Sequence, residues 1–406
     1  MASAAGVVYF VQGGLGSYAL GALLPVWVNE EGWSRTAISV AYAVSTLLPG
    51  LAGVLVGRWT DRHGARGVIL VGALITGLSY VLLSTVTTIV LFFIVFGLGA
   101  VGRAGMSQVP VSAAVARWFV DKRGLAMGIA VSGISLAGVL LVPLVTWLIE
   151  AVGWRGAVIA LGVGIWLVVL PVVWFAMGGS PQERGVLPLG AERRGAGRGH
   201  RPPGDETPSL AVALAGPTFW LLALALTLGH AGSNSIGLHA LPALRDKGVT
   251  SAEGAAAISL MAGCSIGGKL LFGWLSDRFG SVLLLVAAYL AQVGGFVLLA
   301  LAGPGSGVWL FALLYGLSLG GTVTLQPTVV ADRFGVTAYG AIYGAIGLPL
   351  ALVSSASPIL AGGIRELTGS YAPAFLAFAF SSAVAIGALL IAGGVGRPKR
   401  KTMRPE

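Results

Sequence analysis

The sequence predicts an all-α membrane protein of twelve transmembrane helices arranged as two pseudo-symmetric six-helix bundles. Three observations carry that prediction. Only 10% of the 406 residues are charged while 56% are hydrophobic, against roughly a quarter charged in soluble domains. Apolar runs recur along the whole chain, long enough to cross a hydrocarbon layer of about 30 Å at about 1.5 Å per helical residue. One loop also occurs twice in the same direction, Gly57-Arg-Trp-Thr-Asp61-Arg62-His-Gly64 and Gly273-Trp-Leu-Ser-Asp277-Arg278-Phe-Gly280, 216 positions apart.

The same offset, applied without gaps, pairs Gly32 with Gly248, Arg117 with Arg333, Trp118 with Phe334, Glu150 with Glu366 and Gly153 with Gly369. All of these landmarks lie in loops between apolar segments. Parallel repeats matched loop on loop mark bundles that rock against each other around a central site.

The segments read as 5–28, 36–56, 67–86, 88–117, 124–148, 154–178, 210–240, 252–273, 281–302, 306–331, 337–363 and 371–395. The first is too long for a cleavable signal and lacks a basic leader, so it is expected to stay as a helix. Small residues four apart, such as Gly128 with Ser132 and Gly340 with Gly344, suit close helix approach in lipid. The long polar stretch 179–209, rich in Pro, Gly and Arg, reads as a flexible cytoplasmic linker. The chain therefore divides into a bundle at 1–178, that linker, a second bundle at 210–396 and a basic tail at 397–406.

Lys and Arg placement sets the orientation. With both termini cytoplasmic, eighteen of the 25 basic residues fall on the inside, against Arg35, Arg155, Arg245, Lys247 and Arg365 outside. The expected location is a plasma membrane, bacterial inner membrane in type, spanned many times. The net charge of +10 then faces anionic lipid headgroups, not nucleic acid. The single Cys264 excludes an internal disulfide and offers no metal cluster. No cofactor is expected, and a monomer is.

Two basic residues remain, and both are inside the membrane. Arg103 lies 14 residues before Arg117, about 21 Å deep by helical rise. Lys269 lies 8 residues before Asp277, about 12 Å from the same surface. A cation at mid-bilayer costs at least about 2.5 kcal/mol, and no Asp or Glu occurs mid-segment to offset it. An anionic substrate is the compensating charge this arrangement suggests. The alternatives are carbonyl capping, snorkelling to a loop acid, or lipid contact. The offset maps Arg103 onto Leu319 and Lys269 onto Gly53, the asymmetry expected of binding residues as opposed to scaffold.

Further candidates are polar side chains within apolar segments. His230 and Asn234 sit one helical turn apart, and His230 is a candidate proton carrier or an interhelical hydrogen-bond partner. Gln12, Tyr18, Gln108, Gln326 and Tyr343 could each bind an acid's oxygen or hold helices together. Asp61 with Arg62, and Asp277 with Arg278, lie at cytoplasmic helix ends, where an Asp can meet a helix N-terminus or an Arg and latch one state of a cycle. They are candidate gating residues.

The loop Gly57–Arg66 resembles the signature between helices two and three of the major facilitator superfamily, and Gly273–Gly280 resembles its second copy. The run from Arg117 through Arg123-Gly124 to Gly128 and Gly133 is similar to the monocarboxylate transporter and oxalate:formate antiporter branch, as are Pro143, Gly153-Trp154-Arg155 and Thr368-Gly369-Ser370-Tyr371 with Ala374-Phe375. That resemblance implies the major facilitator fold. It also implies a carboxylate-binding cation in helix eight, four residues before a Gly. The branch uses Arg there; this chain has Lys269 before Gly273, which keeps the charge without the planar fork. Animal members add an Asp one turn earlier, where this chain has Ser265, and a Lys in helix one that has no basic counterpart here.

The expected function is secondary active transport of small organic anions, mono- or dicarboxylates, by alternating access. Either proton symport or anion exchange would serve, with the carboxylate, protons and the bilayer as partners. A proton-driven exporter of drugs or apolar molecules is the alternative within transport, and two buried cations argue against cationic cargo. A membrane-embedded enzyme would need a nucleophile–base or metal cluster that the sequence does not present. A receptor would usually carry a larger soluble output domain.

Overall fold

The computed structural model describes residues 1–179, 181, 185–191, 208–301 and 303–394, apart from the side chains of Ser17, Tyr18 and Arg35. Within them the chain is helical, with one isolated bridge between Phe119 and Leu189. Ten apolar helical stretches are long enough to cross a membrane. Two of these, Gly53–Leu83 and Arg123–Ala176, are broken by a left-handed glycine, Gly64 (φ 79°) and Gly153 (φ 72°). Dividing them there and joining the shorter helix Arg35–Leu51 to the first part of Gly53–Leu83 gives twelve membrane-length segments.

The internal repeat is written in the backbone. Gly32 and Gly248 have φ of 68° and 84°, Gly64 and Gly280 79° and 94°, Gly153 and Gly369 72° and 75°. Each pair is 216 residues apart. A Cβ is disfavoured at such angles, so glycine recurs wherever the chain turns the same corner in both halves.

Three helices expected to be continuous are interrupted. The first carries a π-helical turn at Gly14–Tyr18. The fourth ends at Gly105 and restarts at Gln108, where Ser107 and Pro110 favour a new helix start. The seventh comprises Leu210–Ala215, Pro217–His230 and Ser233–Asp246, with Pro217 opening the second piece. Irregular backbone of this kind is tolerated at membrane depth where protein surrounds it or a cavity borders it.

Close packing by small residues joins the halves at the end where the basic loops cluster. A Cβ on Gly57 would lie 2.0 Å from the Gly340 carbonyl oxygen, and one on Gly124 2.3 Å from that of Gly273. These two contacts are exchanged by the same offset, as are Gly53 against Gly344 and Lys269 against Gly128. Leu55, Leu167 and Ile359, 70%, 70% and 77% exposed, are part of the apolar surface turned to lipid.

The stretch expected to be a flexible linker is partly docked. Leu189 N–H donates to the Trp118 carbonyl at 2.9 Å and its own carbonyl accepts from Val120 at 3.1 Å. Most of the linker, 192–207, and the tail 397–406 lie outside the described residues.

Candidate functional site

A cavity of about 650 Å³ lies between the halves, lined by residues from both, including Gln12, Tyr42, Thr46, Arg103, Asn234 and Ser355. Arg103 reaches it from the last turn of Ile89–Gly105. It is 3% exposed, its guanidinium lies 5.3 Å from the centre of the Phe96 ring, and its Nη1 has no hydrogen-bond partner among the described residues. Tyr42 and Tyr80 stand in its electrostatic field, and the Tyr80 hydroxyl donates to the Leu15 carbonyl in the π-helical turn at 2.9 Å. The irregular first helix is thus pinned beside the cation.

Lys269 is 4% exposed and donates to the Ser135 hydroxyl across the interface between the halves. Ile134, the neighbour of Ser135, lines the cavity; Lys269 does not. Of the two intramembrane cations, Arg103 lines this cavity and Lys269, held by Ser135, does not. The ion pairs among the described residues are Arg117–Asp61, Arg123–Asp332, Arg155–Glu31 and Arg365–Asp246. None of them neutralises Arg103 or Lys269.

Gln12 and Asn234 join Arg103 in the lining, and Asn234 donates to the Ser354 carbonyl at 3.0 Å. His230 does not share that face. The turn at Ala231–Gly232 breaks the periodicity that would align it with Asn234, and its Nδ1 is buried without a hydrogen-bond partner among the described residues. Gln108, Gln326 and Tyr343 also fall outside the lining. Gln108 bridges the halves by donating to the Val323 carbonyl at 3.3 Å. Gln326 is 2% exposed, and Tyr343 packs 5.6 Å from Tyr339. The Tyr339 hydroxyl lies 3.0 Å from Ser112 Oγ of the other half. These residues fill the region between the halves with aromatic rings and short polar links. Tyr18 lies in the π-helical turn, and its side chain is outside the described residues.

At the basic end two aspartates cross between the halves. Asp61 accepts from the N–H groups of Gly340 and Ala341 at 3.0 and 2.8 Å, and from Arg117 at 3.0 Å. Asp277 accepts from those of Gly124 and Leu125 at 2.7 and 3.0 Å. Carboxylates at helix N-termini satisfy donors that have no partner within the helix and complement the helix dipole. Arg62 and Arg278, named with them as gating candidates, are exposed. The guanidiniums at this interface belong to Arg117, on Asp61, and Arg123, on Asp332 at 2.7 Å. At the opposite end, Arg155–Glu31 and Arg365–Asp246 each lie within one half.

Sequence reading passed over Tyr42, Ser45 and Thr46 of the second helix, although their spacing puts them on one face. It also passed over Ser135, which no pattern distinguished from other helical serines.

Twelve membrane-length helices in two like halves, a cavity between them and crossed ties at one end define a multi-pass transporter. The chain belongs to the Major Facilitator Superfamily, whose family model matches residues 6–358. It is 28% identical over 346 residues to monocarboxylate transporter 13 of Bos taurus, covering 82% of this chain and 73% of that one. Its fold is similar to the proton:xylose symporter XylE, at 12% identity and a TM-score of 0.73 over 97% and 95% of the two chains. It is also similar to the human organic anion transporter MFSD10, at 17% identity and a TM-score of 0.70 over 95% and 98%.

Proposed function

We propose that this protein carries small carboxylates across the membrane by alternating access, and that Arg103 is the anchor for the substrate's negative charge in the state seen here. The carrying observation is a buried guanidinium in the central cavity with no acid paired to it among the described residues. Arg presents a planar fork that matches a carboxylate. With one cation lining the cavity, a monocarboxylate is the better fit of the two charge classes; the name of the relative in Bos taurus points the same way. Tyr42, Thr46, Gln12 and Asn234 would hydrogen-bond the rest of the molecule.

Lys269 would take over when the halves separate at the basic end, because its tether to Ser135 crosses the interface that must open. Asp61 and Asp277 act as the gate, with Arg117 on Asp61; Arg62 and Arg278 are the exposed members of the same loops. His230, whose buried Nδ1 has no hydrogen-bond partner among the described residues, is the side chain that would carry the proton in symport; exchange of one anion for another is the other mode. Residues 1–178 and 210–396 serve as the two rocking units, joined by the linker. The termini face the cytoplasm by the distribution of basic residues, and the protein works as a monomer in a plasma membrane. The exporter reading is disfavoured because an unneutralised cation in the cavity repels cationic drugs. Uptake of radiolabelled mono- and dicarboxylates into proteoliposomes tests the assignment. Saturable monocarboxylate uptake lost in Arg103→Gln is expected; no carboxylate uptake by wild type would remove the reading.

A further inference from the structure

The repeat that relates the halves also relates two crevices at the basic end. One, of about 140 Å³, is bordered by His63, Gly64, Ala65, Arg66, Arg117 and Met177. The other, of about 550 Å³, is bordered by Phe279, Gly280, Ser281, Val282, Arg333 and Gly393. Each residue of the second set stands 216 positions after its counterpart in the first.

In the second crevice the protein supplies its own anion. Asp332 borders it, and its carboxylate accepts from the hydroxyl of Ser281, the first residue of the ninth helix, at 2.6 Å. In the first crevice all three chemical partners differ. Ala116 stands where the offset puts Asp332, Ala65 where it puts Ser281, and Arg66 where it puts Val282. A carboxylate has been removed and a guanidinium added.

That guanidinium is held in place. Its centre lies 4.2 Å from the middle of the Trp174 ring, and its buried Nε has no hydrogen-bond partner among the described residues. Trp174 is 57% exposed, so the stack sits where the protein meets headgroups. Arg117 forms the opposite wall, sharing its guanidinium with Asp61. Gly64 opens the third helix there, and its first-turn N–H groups add partial positive charge.

We propose that the first crevice is a binding site for a phosphate group, held between Arg66 and Arg117 in the place that a carboxylate fills in the other half. An anionic phospholipid headgroup and free inorganic phosphate share this chemistry. The position beside Trp174 leaves the crevice reachable from both the bilayer and water.

The test uses the purified full chain. Native mass spectrometry after addition of phosphatidylglycerol or phosphatidylcholine should show about tenfold greater retention of phosphatidylglycerol, because the quaternary ammonium beside the phosphate of phosphatidylcholine is repelled by Arg66 and Arg117. Arg66→Gln should bring retention to the phosphatidylcholine level, Arg66→Lys should fall between, and Arg333→Gln should match wild type. Ala116→Asp, which restores the other half's carboxylate, should also lower retention. Gel filtration checks that each variant is folded, and Arg66→Gln suffices if Ala116→Asp is not. In parallel, a thermal shift with inorganic phosphate that vanishes in Arg66→Gln assigns the site to the free ion. Lipid retention without that shift assigns it to the headgroup. Equal phosphatidylglycerol retention in wild type and Arg66→Gln, with no Arg66-dependent phosphate shift, overturns the proposal.

Discussion

Asp61 receives the first N–H groups of the eleventh helix, and Asp277, its counterpart 216 residues later, receives those of the fifth. Each half thus holds a helix end of the other. Hydrogen bonds to a charged acceptor contribute about 1.5–3 kcal/mol each. Asp61→Asn or Asp277→Asn should therefore raise the population open at the basic end about tenfold. Accessibility of a cysteine replacing Ser276, which is buried beside Gly124 of the other half here, in a Cys264→Ser background, reports that opening. Unchanged labelling in both variants would show that the aspartates do not hold the halves together.

Arg103 makes a prediction with two opposite signs. Arg103→Met should lower carboxylate uptake at least about tenfold, since a charge-assisted pair is lost. The same change should raise the melting temperature, because a buried cation without a protein acid costs at least about 2.5 kcal/mol at bilayer depth. Loss of uptake with a lowered melting temperature would indicate a structural partner for the guanidinium. Full uptake would take Arg103 out of the site.

Lys269 and Ser135 form a tether that separates charge from geometry. Lys269→Gln should abolish uptake in proteoliposomes, while Lys269→Arg should retain a substantial part. Ser135→Ala leaves the ammonium buried without its hydroxyl and should lower stability by about 1–3 kcal/mol. Transport at the wild-type rate in Lys269→Gln contradicts a role in carrying the anion.

His230 is tested by comparing two modes of the same protein. His230→Gln should suppress accumulation driven by a proton gradient more than exchange of one anion for another. Equal losses in both assays would assign the residue to packing.

The architecture was legible because membrane physics leaves few choices. Long apolar runs must be helices, and the recurring Asp–Arg loop showed that the halves are copies. The intramembrane cations were legible for the same reason, since a charge stands out against hydrocarbon. The division of labour between them was not. Which of Arg103 and Lys269 lines the cavity is not carried by sequence depth alone, since it is set by how the halves pack. That Asp61 would meet a helix N-terminus or an arginine was legible from its place at a helix end; which arginine was not, because Arg117 arrives from the fourth helix, 56 residues along the chain. His230 was aligned with Asn234 by counting residues through a turn that the sequence marks only by Gly232.

The paired corner glycines bear on how such a chain drifts after copying. At Gly32 and Gly248, Gly64 and Gly280, and Gly153 and Gly369 the backbone adopts angles that a side chain disfavours, so shape confines both copies to one residue. No such confinement holds at depth, where Arg103 faces Leu319 and Lys269 faces Gly53 across the ancestral offset. Likeness between the halves is therefore anchored at the rims and erased toward the centre, leaving a symmetric frame free to host a lopsided guest.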